Sequence, residues 1–155
     1  MSANITHTKS KYIYILILPI IVIIIDQLTK YLIIFNMQLS QSIPIINNVF
    51  HLTYIHNTGT LFGLFSSSNM ANMLFIWLII IIIGVILWLF DRFDRNEAIL
   101  FSLVIGAAIG NLIDRIIYGH VIDFLDFRVW PVFNVADSVV SICVILLIIY
   151  LIRKK

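Results

Sequence analysis

The sequence predicts an all-α membrane protein, a bundle of four transmembrane helices with a small β-containing outer loop region on the periplasmic side. Three features carry that expectation: the apolar content, four long apolar runs, and one short stretch that alternates with a period of two. Of the 155 residues, 61% are hydrophobic and 12% charged, whereas charged residues make up about a quarter of a soluble globular domain. A formal net charge of +2 in so apolar a chain gives no reason to expect a nucleic-acid partner. Cys143 is the single cysteine, so neither an internal disulfide nor a thiolate zinc cluster can form.

The apolar runs occupy 12–35, 70–90, 98–118 and 132–152, within one integral membrane domain spanning 1–155. About 20 apolar residues cross a hydrocarbon core, so each run is long enough. All are too long and too uniform for the alternating strands of a barrel. The first run follows Lys9 and Lys11 as a signal peptide would, yet it carries Asp26 and Lys30 and no small-residue cleavage site follows. It is expected to be retained. Lys9, Lys11, Arg92, Arg95, Arg153, Lys154 and Lys155 fall at ends that an even number of spans brings to one side. The positive-inside rule makes that side the cytoplasm, with both termini inside and the loops 36–69 and 119–131 outside.

The longer outer loop has its own pattern. Phe50, Leu52 and Tyr54 alternate with His51 and Thr53, which predicts a short strand over 49–56. Asn57-Thr58-Gly59 follows as a turn, since Gly accepts positive φ freely and Asn tolerates it. Residues 61–65 are expected to form a short amphipathic piece at the membrane surface.

Depth within the spans singles out the carboxylates. At 1.5 Å per residue, Asp26 lies about 21 Å above Tyr12, Asp114 about 26 Å above Glu97 and Asp137 about 24 Å above Arg153. Three helices thus bring an acid to one level in the outer part of the bilayer, and Asp123 follows just beyond helix three. Intramembrane charges face the bundle interior and are functional candidates by default. Asp26 and Lys30, spaced i,i+4, pair as a structural anchor. Asn111, Asp114 and Arg115 read equally well as a hydrogen-bond knot or a clamp on carboxylates and peptide carbonyls. Asp137 shares a face with Asn134 and has no basic partner within a turn, which makes it the best candidate for chemistry. Asp126 and Arg128 are expected at the water surface.

The chemistry narrows by elimination. There is no H-E-x-x-H, and His7, His51, His56 and His120 are too scattered for a metal-ligand spacing. No metal and no cofactor are expected. Ser138 and Ser141 lack a base on their helix and serve packing. A close pair of carboxylates remains, one protonated and one acting as base on water. Two other classes are open: a small ion or proton pathway, and a structural membrane assembly partner. A pathway would place ionisable groups at several depths, and an assembly partner gives no reason for the lone Asp137.

Five motifs in order carry a resemblance. They are Asp26-Gln27-Leu28-Thr29-Lys30; Asn57-Thr58-Gly59 with Phe62-Gly63; Gly106 with Gly110-Asn111-Leu112-Ile113-Asp114-Arg115; Val121-Ile122-Asp123-Phe124; and Phe133-Asn134-Val135-Ala136-Asp137-Ser138. Together they resemble the lipoprotein signal peptidase family, the type II or prolipoprotein signal peptidases of bacteria. The resemblance implies a metal-independent aspartyl endopeptidase of the inner membrane, acting on lipid-modified prolipoproteins among membrane lipids. Cleavage would fall just before a diacylglyceryl-modified cysteine, near the outer face. It further implies Asp123 and Asp137 as the catalytic dyad, Asn57, Asn111 and Arg115 near the substrate backbone, and Asp114 and Asn134 in support. Asp26, Lys30 and Gly59 would organise the bundle and loop.

Overall fold

A computed structural model describes residues 3–59 and 69–154. Four helices, α1 (Ala3–Asn36), α2 (Asn69–Leu89), α3 (Arg95–Tyr118) and α4 (Val135–Lys154), account for most of them. Three strands, β1 (Ser42–Ile46), β2 (Phe50–Asn57) and β3 (Val121–Asp126), lie between the helices in sequence. Each helix holds a stretch long and apolar enough to cross a membrane: Lys11–Asn36, Asn72–Arg92, Arg95–Tyr118 and Val135–Lys154. Side chains such as Ile20, Ile24, Trp77, Ile81 and Ile145 stand exposed on the outside of the bundle, a surface suited to lipid rather than water.

The helix ends depart from the hydropathy boundaries for local reasons. α1 starts at Ala3 rather than 12, because hydropathy marks the lipid-crossing part of a helix and not its first turn. α3 starts at Arg95 rather than 98, since Asp94 caps it: its carboxylate accepts from the N–H groups of Asn96 and Glu97, and Glu97 accepts from Asp94 N–H. This reciprocal capping box satisfies donors that a helix otherwise leaves bare. Gly119, at φ 77°, closes the same helix by donating to Arg115 O, a conformation that favours glycine. α4 starts at Val135 rather than 132 because Phe133 is bridged to Leu125; Phe133 O takes the N–H groups of Phe124 and Leu125 at 3.0 and 2.7 Å.

α3 is the central helix and touches the other three. A methyl group at Gly106 would stand 2.6 Å from Pro19 Cα, and one at Gly110 would stand 2.5 Å from Asp26 Oδ2. These two glycines, four apart, let α1 and α3 approach at backbone distance, as small residues do between membrane helices. At the end carrying the termini, Lys11 Nζ donates to the carbonyls of Phe90, Asp91 and Phe93 at 3.3, 2.7 and 3.2 Å. Lys11 therefore ties α1 to the turn after α2, a role its count as an orienting charge did not reveal. Lys154 pairs with Asp94 and Glu97 at 2.5 and 3.0 Å, joining α4 to the start of α3.

At the other end the strands form an antiparallel sheet in the order β1-β2-β3. Ile55 stands opposite Asp123 and Asn57 opposite Val121, with a register irregularity between Leu52 and Ile55. Ile33 and Met37, at the end of α1, pack with Tyr54, Ile122 and Phe124 beneath the sheet. The strand predicted over 49–56 is β2, whereas β1 and β3 were not foreseen as strands. Asp126 is a correction: it is buried rather than at the water surface, accepting from Thr53 Oγ1 at 2.7 Å and from Arg128 N–H and Nη1 at 2.9 and 3.0 Å. Arg128 is the exposed member of that pair, with half its side chain accessible. The amphipathic piece expected over 61–65, and with it Phe62 and Gly63, lies outside the described residues.

Candidate active site

The intramembrane acids separate into two groups, and their partners differ in kind. In the first, Lys30 Nζ pairs with Asp26 Oδ2 at 2.8 Å and Asp114 Oδ2 at 2.7 Å. Lys30 is 1% exposed and both aspartates 0%. Gln27 Nε2 adds bonds to Asp114 Oδ1 at 2.9 Å and Gly110 O at 3.1 Å. The outer lone pairs do structural work. Asp114 Oδ2 accepts Ile122 N–H at 3.1 Å, fixing the start of β3, and Asp26 Oδ1 accepts Ala136 N–H at 3.0 Å, capping α4 from a different helix. Buried ions are tolerated only when paired and hydrogen-bonded in this way. The i,i+4 anchor read from the sequence is thus one side of a three-helix knot. Gln27 is the member whose contribution the sequence did not declare.

The second group is Asp123 on β3 and Asp137 in the first turn of α4. Asn134 is the residue that joins them. Its Oδ1 accepts Asp137 N–H at 2.9 Å while Asp137 Oδ2 accepts Asn134 N–H at 3.3 Å, a capping-box arrangement built from Asn and Asp. The Asn134 amide nitrogen donates to Asp123 Oδ1 at 2.7 Å and to Asn111 Oδ1 at 3.0 Å. Asn57 Nδ2 donates to Asp123 Oδ2 at 2.8 Å, and Asn111 Nδ2 to Asp137 Oδ1 at 2.8 Å. Asn57 is itself held because its Oδ1 accepts Gly59 N–H at 2.9 Å. Gly59 has φ 77°, and a side chain there would collide with the Phe75 ring, so glycine is required on two counts.

Among the described residues neither Asp123 nor Asp137 makes an ion pair; both carboxylates are held by amides. Burial pushes the Asp123 carboxyl up to about 6; the Asn57 and Asn134 hydrogen bonds and the Lys30 charge oppose the rise, and the neighbouring Asp137 charge adds to it. Arg115 lies within electrostatic reach of Asp137, Asp123 and Asp114. Its guanidinium sits 4.9 Å from the Phe75 ring centroid, and its Nη1 is buried with no hydrogen-bond partner among the described residues. Asn57 and Asp137 also line a cavity of about 880 Å³ whose walls are mainly apolar, among them Phe50, Leu125, Trp130 and Phe133. A carboxylate pair with a donor-rich guanidinium beside an apolar trough suits hydrolysis of an extended, partly apolar chain.

All ten residues singled out in the sequence fall in or against these two groups. His56 and His120, far apart in sequence, stack with ring centroids 3.7 Å apart. No group of three or more metal-ligating side chains occurs among the described residues.

Comparison with known proteins bears directly on this arrangement. A family model described as signal peptidase (SPase) II matches residues 18–153, nearly the whole chain. The chain belongs to the lipoprotein signal peptidase family. It is thereby a membrane enzyme, an aspartic peptidase of the signal peptidase II type. Among similar relatives, the lipoprotein signal peptidase of Halothermothrix orenii is 47% identical over 145 residues, covering 92% of this chain and 97% of the relative. That of Moorella thermoacetica is 42% identical over 135 residues, covering 85% and 88%. A bacterial membrane enzyme solved by the in meso method at 1.9 Å resolution superposes with a TM-score of 0.82 at 32% identity, covering 91% of this chain and 94% of that one. A second such structure, at 2.3 Å, gives 0.79 at 32% identity over 90% and 87%. Those two membrane enzymes share the fold of this chain.

Proposed function

We propose that Asp123 and Asp137 are the catalytic dyad of this lipoprotein signal peptidase, and that they activate water against the peptide bond preceding a diacylglyceryl-modified cysteine. One observation carries the reading: the two carboxylates share Asn134, make no ion pair among the described residues, and Asp137 lines an apolar cavity. Two acids held only by neutral donors keep one proton between them. With its carboxyl raised, Asp123 is the member that carries that proton in the active form of the enzyme. Asp137 takes a proton from water as the water oxygen attacks the scissile carbonyl carbon, and Asp123 gives its own proton to the carbonyl oxygen. When the C–N bond breaks, the proton held by Asp137 goes to the departing amine and Asp123 recovers its proton from the hydroxyl of the intermediate.

The substrate lies extended along β2 and the Asn57–Gly59 turn, with its lipid chains in the bilayer beside the helices. Asn57, Asn111 and Arg115 hold its backbone; the free donor of Arg115 is supporting evidence. Lys11, Arg95 and Lys154 cluster at the end carrying the termini, which supports a cytoplasmic placement for that end in a bacterial inner membrane and an outer-face site.

Asp123→Asn and Asp137→Asn, each assayed on a diacylglyceryl-modified prolipoprotein in detergent, lower the cleavage rate by about 10²–10⁴-fold while the protein remains folded. Substantial turnover by either variant removes that residue from the dyad. The purified protein in liposomes supports no proton flux; a measurable flux favours a conduction pathway instead.

A further inference from the structure

We propose that Lys30 is a positioning residue for the reaction, acting on Asp137 through Asn111, in addition to pairing with Asp26 and Asp114. The inference rests on the Asp123–Asp137 dyad proposed above. Lys30 Nζ donates not only to its two carboxylates but to Asn111 Oδ1 at 3.0 Å. The same oxygen receives Asn134 Nδ2 at 3.0 Å. An amide oxygen has two acceptor sites, so both are taken by donors, and the Asn111 nitrogen is left facing Asp137 Oδ1 at 2.8 Å. Turning the amide over would set its NH₂ against an ammonium and another NH₂, and would present an oxygen to a carboxylate. The cation thereby fixes which face of Asn111 the dyad meets.

The chain of contacts runs from α1 through α3 to α4 without a break: Lys30, Asn111, Asp137. Asn134 carries a branch of it to Asp123. An ammonium has three donors; Lys30 gives two to its carboxylates and the third to the Asn111 oxygen. Placing that third donor on Asn111 is what aims its amide. The Lys30 charge also opposes the upward push on Asp123, which gives the test a second readout.

Removing Lys30 alone would leave two buried carboxylates facing each other, so the test uses charge-matched proteins. In Asp26→Asn/Lys30→Met the knot keeps its net charge, and an amide oxygen at position 26 still caps Ala136. Its kcat on a diacylglyceryl-modified prolipoprotein is expected to fall at least tenfold with KM within threefold of wild type, and the alkaline limb of kcat/KM to move to higher pH. In Asp26→Asn/Lys30→Gln an amide donor reaches Asn111 again, and at least half of the lost kcat on a logarithmic scale returns although the cation is gone. Adding Asn111→Ala to the Met protein lowers kcat less than threefold further, whatever it adds to KM through the lost substrate contact, because both changes interrupt one route to Asp137.

A folded Met protein with wild-type kcat and pH profile overturns the proposal, as do kcat losses that multiply with Asn111→Ala. If the Met protein does not fold, the Gln protein decides alone: kcat within tenfold of wild type supports the role, and kcat as low as that of Asn111→Ala ends it. Asp137→Asn measured in parallel separates the two readings. If it is inactive while the Lys30 proteins are unaffected, only the positioning role is lost; if it is active, the dyad itself is wrong.

Discussion

The protein carries two pairs of aspartates, Asp26 with Asp114 and Asp123 with Asp137, of which all but the half-buried Asp137 are buried, and they are treated in opposite ways. Asp26 and Asp114 face an ammonium at 2.8 and 2.7 Å. Asp123 and Asp137 face side-chain amides of Asn57, Asn111 and Asn134 at 2.7 to 2.8 Å. The same residue type thus serves as mortar in one place and, in the proposed dyad, keeps a mobile proton in the other. The difference lies in the partner: a lysine brings a full positive charge to a carboxylate, while an amide donor positions one without adding charge. Amide groups also cost less to bury than charges, so three asparagines can shape the reactive pair without silencing it.

Three further substitutions probe that contrast. The largest effect is on the knot: Lys30→Ala leaves two fully buried acids without their cation and is expected to cost about 3–5 kcal/mol of stability, read as a loss of folded protein in detergent melts. A melting profile like wild type would show the knot to be dispensable. Next, Gly110→Ala places a methyl group 2.5 Å from Asp26 Oδ2, and overpacking of this kind costs about 1–3 kcal/mol. Unchanged stability there means that α1 and α3 separate easily. The smallest effect concerns the reactive pair. Asp123 holds its proton below about 6 and loses it above, so activity that needs one proton falls on the alkaline side. Asn57→Ala removes a hydrogen bond that favours the ionised carboxylate, Asp123 rises further, and the alkaline limb of kcat/KM moves to higher pH. A limb that stays in place, or moves down, shows that Asn57 does not govern the proton.

The spans were legible in the sequence because length and uniform apolarity leave no other structure in lipid. Their ends were less so. Asp94 and Glu97 wrote a capping box before the hydropathy rose, and Phe133 was drawn into the sheet by Leu125, a partner eight positions earlier that no local pattern reveals. β3 escaped notice because Val121, Ile122, Asp123 and Phe124 are all buried, so the strand lacks an alternating signal. Asp126 looked like a surface acid because Thr53, which holds it, comes from β2. Within the candidate site, spacing alone picked out Asp26 with Lys30 and Asn134 with Asp137, both local pairs. Asn57 with Asp123 and Asn111 with Asp137 join distant segments, and family resemblance rather than periodicity brought them forward.

The i,i+4 spacing of Asp26 and Lys30 has a consequence for how the chain is assembled. Helix α1 carries its own counter-ion, so the segment can leave the translocon as a neutral dipole before α3 or α4 has been synthesised. A lone aspartate at that depth would cost about 2.5–3.5 kcal/mol on insertion scales. Asp114 later joins an ion pair that already exists, and Ala136 docks last onto the remaining oxygen, so biogenesis need never expose an unescorted charge to hydrocarbon.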